Sequence, residues 1–229
     1  MPPAPVSTTL PIAGSGSGYA PELTFEVSDG GVLQHAAVPT LRFAVEIGTV
    51  GAAAQVRSVA LNVEVRIAAT RRRYAEAERG KLVDLFGQPE EWGRNLKTLH
   101  WTNFTVQVPS FTGTTEIELP ITCTYDLEVA ASRYFNALED GEIPLEFLFS
   151  GTVFYAGADG RLQVGRIGWD KDAEFRLPVS AWQEMIDRYF PDSAWLRLRR
   201  SEFDRLAAYR AKHTLVSWEQ VVDKLLADD

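Results

Sequence analysis

Apolar and polar residues alternate over three long stretches in the first half of the chain. In "TLRFAVEIG", Leu41, Phe43, Val45 and Ile47 alternate with Arg42, Ala44 and Glu46. In "VRSVALNVEVRI" every second residue from Val59 is apolar: Val59, Leu61, Val63, Val65 and Ile67. "FTVQV" repeats the pattern with Phe104, Val106 and Val108. A period of two places one set of side chains on one face, so each stretch predicts a strand of an antiparallel sheet buried on one side.

The same phase runs from Thr115 to Val129 through Ile117, Leu119, Ile121, Cys123, Tyr125, Leu127 and Val129. Pro120 cannot donate to a ladder, so this segment is expected to be an edge strand, or two strands bent at the proline. "IPLEFLFSGTVFYA" is almost continuously apolar, which predicts a central strand covered on both faces. "GADG" reads as its hairpin turn, returning through "RLQVGRIGW", and "AEFRLP" supplies a last strand. The residues expected to point inward include Phe43, Leu61, Val63, Val65, Phe104, Cys123, Tyr125, Phe147 and Phe149.

After Pro178 the period changes. Trp182, Met185, Ile186 and Tyr189 fall at i, i+3, i+4 and i+7, one face of a helix that Pro191 stops. Ser180 with Gln183 and Ser217 with Gln220 have capping-box spacing, and Ser201 is placed to cap the helix between them. Trp195 lies in the connector. Upstream, Tyr74, Leu82, Leu85 and Phe86 share a helical face that ends at Gly87 and Pro89. Strands grouped ahead of helices predict an α+β protein. The expected fold is an antiparallel β-sandwich of immunoglobulin-like or arrestin-like outline. Residues 1–20 are expected to form a flexible tail, 21–178 the sandwich with a helical insertion at about 74–95, and 179–229 a helical segment packed on it. The Gly14, Gly16, Gly18 spacing follows no strand and opens no helix, so it reads as linker rather than nucleotide loop.

Charge enters the argument at "TRRRYAEAERGKLVDLFGQPEEWG". Arg71, Arg72 and Arg73 sit at a helix start, where the macrodipole disfavours cations, so they call for nearby carboxylates or an acidic partner. The formal net charge of −8 argues against general nucleic-acid binding. Arg71, Arg72 and Arg73 together with Glu90 and Glu91 are therefore the candidate partner-binding residues, with the helices after Pro178 as the next surface to consider.

Candidate chemistry is sparse. The single cysteine, Cys123, falls mid-strand on the apolar face, which suits a buried thiol. Intramolecular disulfides and thiolate zinc clusters are excluded. Of three scattered histidines, His100 beside Trp101 is the best placed for an active site. Asp170, Asp172 and Glu174 lack the glycine and distal glutamate of an EF-hand loop and read as a solvated strand face. No nucleophile elbow, phosphate-binding loop or zinc-protease helix occurs. No catalytic, metal or cofactor-binding residue is thus assigned, and no cofactor is expected. The six tryptophans are dispersed, so packing is preferred over sugar or base stacking. No apolar run is long enough to span a bilayer, and the N-terminus has no secretory pattern, so the cytoplasm is the expected compartment.

The segments "RRRYAEAERGKLVDLFGQPEEWG", "FTGTTEIELPITCTYDLEVAASRYFNALEDGEIPLEFLFSGTVFY" and "LPVSAWQEMIDRYFPDSAWLRL" resemble an uncharacterised bacterial family, a domain of unknown function. The resemblance runs from about Leu23 to Leu226. Members are often encoded beside genes for oxygen-tolerant uptake [NiFe]-hydrogenases, which implies an accessory role by association. The expected function is a non-enzymatic protein-binding accessory factor, for assembly or maturation of a [NiFe]-hydrogenase complex, with a hydrogenase subunit or maturation factor as partner. The alternatives are a holdase-like chaperone and an enzyme with a site near His100.

Overall fold

The computed structural model describes residues 20–51, 55–124, 126, 129–191, 193 and 197–227. The tail expected over residues 1–20 (all but its last residue), the inward position of Tyr125, the phase of Leu127 and the connector residue Trp195 lie outside them. Nine strands occur among the described residues: β1 (Leu23–Val32), β2 (Thr40–Thr49), β3 (Gln55–Ile67), β4 (Leu99–Val108), β5 (Phe111–Thr112), β6 (Thr114–Thr122), β7 (Glu142–Ala156), β8 (Leu162–Arg166) and β9 (Lys171–Pro178). Six helices accompany them: α1 (Glu76–Phe86), α2 (Trp92–Asn95), α3 (Ala130–Ala137), α4 (Val179–Tyr189), α5 (Arg200–Lys212) and α6 (Trp218–Ala227). The fold is α+β.

Two antiparallel sheets form a sandwich. One has the order β1-β2-β6; the other has the order β4-β3-β7-β8, with β5 paired to β3 and β9 to β7. The period-two residues of β2 and β3 are buried, from Leu41 to Ile47 and from Val59 to Ile67. In register, Val63 lies opposite Phe104 on one side and Phe149 on the other. Phe43 is the hub of the interior, edge-on to Phe147 at 5.1 Å and Phe175 at 5.7 Å, while Phe25 stacks on Phe149 at 4.3 Å. A Cβ at Gly30 would come within 2.7 Å of the Phe43 and Phe175 rings, so β1 needs a residue without one to lie this close. Leu61, Val63, Val65, Cys123, Phe147 and Phe149 are buried as expected; Phe104 is half-buried.

Several local expectations are corrected. The strand expected through Val129 stops at Thr122, and a helix that was not predicted, α3, follows from Ala130. The reason is a second periodicity, since Ala131, Tyr134, Phe135 and Leu138 recur at helical spacing and all are buried. Ser132 Oγ donates to the Thr124 carbonyl at 2.6 Å and closes the entry. Pro120 does lie on an edge strand, since among the described residues β6 pairs only with β2. β7 is central but not covered on both faces, because Leu148 and Phe154 on its outer side are half-exposed. β1 was not among the predicted strands.

The helix caps differ too. α4 begins at Val179 directly after Pro178, and Gln183 donates to the Glu139 carbonyl (3.2 Å) rather than closing a box with Ser180. α5 begins at Arg200 with Arg199, not Ser201, at the cap position. Ser217 does cap α6, accepting the Gln220 N–H at 3.3 Å, while the Gln220 side chain accepts from Val216 N–H at 2.8 Å.

α1, α3 and α4 gather into a shoulder at one end of the sandwich. Tyr74, Leu82, Phe86, Tyr134, Phe135 and Trp182 are buried there. The Tyr74 hydroxyl donates to the Ala69 carbonyl at 2.7 Å and lies 2.8 Å from the Tyr134 hydroxyl. Burial pushes the Tyr74 phenol up to about 12 and the Tyr134 phenol higher still, so both stay neutral. α5 and α6 continue beyond α4 and pack on each other.

Candidate functional site

The arginine triplet lies where β3 ends and α1 begins. The three side chains have different fates. Arg72 turns inward, with only 9% of its side chain exposed, and its Nη2 donates to Glu78 Oε1 at 2.6 Å. It also donates to the carbonyls of Glu142 (2.7 Å) and Asp140 (2.6 Å), which fastens the α3–β7 loop to the start of α1. Its Nε finds no partner among the described residues. Glu78 accepts two further hydrogen bonds, from Ala75 N–H (2.9 Å) and Glu139 N–H (3.0 Å). Burial alone would raise the Glu78 carboxyl. The two backbone donors and the guanidinium outweigh that and hold its pKa below the ordinary value.

Arg71 stays at the surface and bridges Glu146 (3.0 Å) on β7 and Glu174 on β9. Arg73 is exposed and makes no ion pair among the described residues. Glu90 is exposed, and Glu91 accepts from Asn95 Nδ2 at 3.3 Å within its own turn. An open cleft of about 460 Å³ beside the triplet is lined by Arg71, Arg72, Arg73 and Arg176 and by Glu78, Glu139, Asp140 and Glu142. Four cations face four carboxylates, so the cleft has no positive surplus for a phosphate.

The other candidate groups are dispersed. His100 is exposed on the outer face of the six-stranded sheet, opposite Arg66. The cleft on that face, about 340 Å³ between Asn62, Glu64, Asn103, Thr105 and Ser150, does not include it. Glu64 is held low by its hydrogen bond from Arg66 (2.7 Å), against a smaller desolvation effect. Cys123 is buried, and burial pushes its thiol up to about 12, the opposite of what a nucleophile needs. Asp172 and Glu174 lie exposed on β9, and among the described residues no three His, Cys, Asp or Glu groups converge to hold a metal. Nor is any described helix long and apolar enough to cross a membrane.

A surface that pattern reading passed over is the edge at β8. This strand pairs with β7 on one side, and no strand among the described residues pairs with its other side. Leu162 and Val164 point outward beside Ala156 and Phe154 and are 65% and 61% exposed. Trp169, in the break between β8 and β9, is 94% exposed. Edge strands are ordinarily defended by charge or proline. The opposite sheet shows that defence, with exposed Glu116, Glu118 and Pro120 along β6. β8 shows little of it. The signal was available in "RLQVG", an alternating run next to a hairpin turn whose outward residues are apolar.

No curated protein matches the chain. Among solved structures, the CARDB domain of a Pyrococcus furiosus protein in complex with di-metal ions is similar at 15% identity and a TM-score of 0.28, over 69% of this chain and 92% of that one. A putative late embryogenesis abundant protein is similar at 15% identity and a TM-score of 0.33, over 69% and 72%. The putative ApaA protein of Bordetella pertussis is similar at 13% identity and a TM-score of 0.25, over 69% and 94%. The model of the family of unknown function DUF6084 matches residues 20–229, and the chain belongs to that family.

Proposed function

We propose that the protein is a non-enzymatic, protein-binding accessory factor, and that the β8 edge receives an extended segment of its partner. The observation that carries this reading is a strand edge that no strand among the described residues pairs, bearing exposed Leu162 and Val164 with Trp169 nearby in sequence. An extended segment would add main-chain hydrogen bonds to the free edge and lay alternate apolar side chains on Leu162 and Val164. Covering each of these would remove apolar surface from water at roughly 25 cal/mol per Å². The partner class we propose, a subunit or maturation factor of a [NiFe]-hydrogenase, rests on the gene association that the resemblance in sequence implies.

A photo-crosslinking residue at position 164 tests the reading, with the same residue at position 118 on the defended edge as control. Crosslinks from 164 alone, abolished by Leu162→Lys with Trp169→Ser while the melting temperature holds, are expected. Equal crosslinking from both positions would sink the proposal. The identity of the crosslinked protein tests the hydrogenase assignment separately. Capture of many unrelated unfolded chains would point instead to the holdase reading.

A further inference from the structure

The α5–α6 hairpin has a face that the other described residues leave open. Trp218 is held by Phe203 (ring centroids 5.3 Å apart) and by the Arg210 guanidinium over its ring at 4.3 Å. Lys224 Nζ meets His213 Nδ1 at 3.2 Å. Beyond these contacts little is covered. Val221 is the one buried residue on the two helices, while Phe203 (47%), Val222 (52%), Leu225 (42%) and Leu226 (70%) are exposed. Helices of 13 and 10 residues are too short to hold themselves in water, and one buried valine gives them almost no core. Two such hairpins placed face to face complete a four-helix bundle, the common way for paired amphipathic helices to close a core.

Charge identifies the occupant. α5 carries Arg200, Arg205, Arg210 and Lys212 against Glu202 and Asp204, a surplus of two positive charges (4 − 2). α6 carries Glu219 and Asp223 against Lys224, a surplus of one negative charge (2 − 1). A two-fold axis between hairpins can set α5 of one copy on α6 of the other, twice, so the basic helix meets the acidic one at both contacts. We infer that the protein is a homodimer joined through α5 and α6, the second copy of this chain being what covers Val222, Leu225 and Leu226. This inference uses a different surface from the β8 edge and does not depend on it.

Sedimentation or light scattering of the full chain tests it, with circular dichroism and thermal melting to confirm that each variant folds. The parent should have a mass of about 51 kDa, twice the 25.5 kDa chain. Val222→Lys with Leu225→Lys should give a folded monomer. Two charge variants probe the pairing: one with Arg200→Glu and Arg205→Glu, the other with Glu219→Lys and Asp223→Lys. Each should self-associate at least tenfold more weakly than the parent, and an equal mixture should recover the dimer as a heterodimer. A parent that stays monomeric overturns the inference, as does a dimer that survives the lysine substitutions. A folded pair of charge variants that fails to recover in the mixture overturns the assignment of α5 onto α6.

Discussion

α4 and α6 look alike in sequence and end in opposite situations. They have 11 and 10 residues, and each carries a tryptophan followed by apolar residues three and four positions on: Trp182, Met185 and Ile186, then Trp218, Val221 and Val222. In α4 all three are buried, because β1, β2, β9 and α3 pack around the helix. In α6 only Val221 is buried, because α5 is its principal neighbour. Amphipathic spacing therefore announces that a face requires cover. It does not say whether the cover belongs to the same chain.

The shoulder around α4 is where single substitutions should do most damage. Removing Arg72 leaves Glu78 buried and unpaired, and removing Glu78 strands the guanidinium. Either Arg72→Ala or Glu78→Ala is expected to cost about 3–5 kcal/mol in urea unfolding. The double change Arg72→Met with Glu78→Leu should recover part of that. Recovery stays partial because the N–H groups of Ala75 and Glu139 lose their acceptor. Full stability in either single variant would show that the ion pair is dispensable.

The two tryptophans make the comparison direct. Trp182 packs on Phe135 at 4.6 Å and donates to Asn136 at 2.9 Å, so Trp182→Ala should cost about 3–5 kcal/mol. Trp218→Ala should leave the main unfolding transition within about 1 kcal/mol of the parent, since α6 contributes so little to the sandwich core. Equal losses at the two sites would mean that the hairpin is part of the same cooperative unit.

Most of the sandwich was legible because burial on one face writes itself as a period of two. Leu41 to Ile47 and Val59 to Ile67 left no alternative reading. α3 was not among the predicted helices, because the strand phase of Ile121, Cys123 and Tyr125 runs on in the sequence to Val129, just ahead of the helical spacing of Ala131 and Tyr134. The roles of the arginines were only half legible. Three adjacent arginines announce a demand for carboxylates, and Glu78 lies six residues beyond Arg72 in the same segment, but Glu146 and Glu174 reach them through chain topology, which composition does not encode. The β8 edge escaped notice for a related reason, since an alternating strand reads the same whether its outward face meets protein or water.

Acid should act more gently on the same shoulder. The Glu78 carboxyl sits below its ordinary value of 4.5 in the folded chain, so the unfolded state binds the proton more readily. The stability it contributes is present above about pH 4.5 and is lost as the pH falls through the lower, folded pKa. In Glu78→Gln that component is absent, so the gap in melting temperature between parent and variant should narrow on acidification below about pH 4.5. A gap that widened would reverse the assigned direction.

The smallest effects are expected from the two outer arginines, and they separate folding from recognition. Replacing the whole triplet would not, because the loss of Arg72 would destabilise the shoulder and reduce any binding with it. Arg71→Ser removes exposed pairs to Glu146 and Glu174, and such pairs contribute about 0–1 kcal/mol. Arg73→Ser removes no ion pair among the described residues and should stay within about 0.5 kcal/mol of the parent. If the two arginines with Glu90 and Glu91 also meet a partner, the Arg71→Ser, Arg73→Ser double variant should bind more slowly and lose less affinity as salt rises, since rim charges act chiefly on association. Unchanged association and salt response would confine these two residues to the fold and leave the β8 edge as the partner surface.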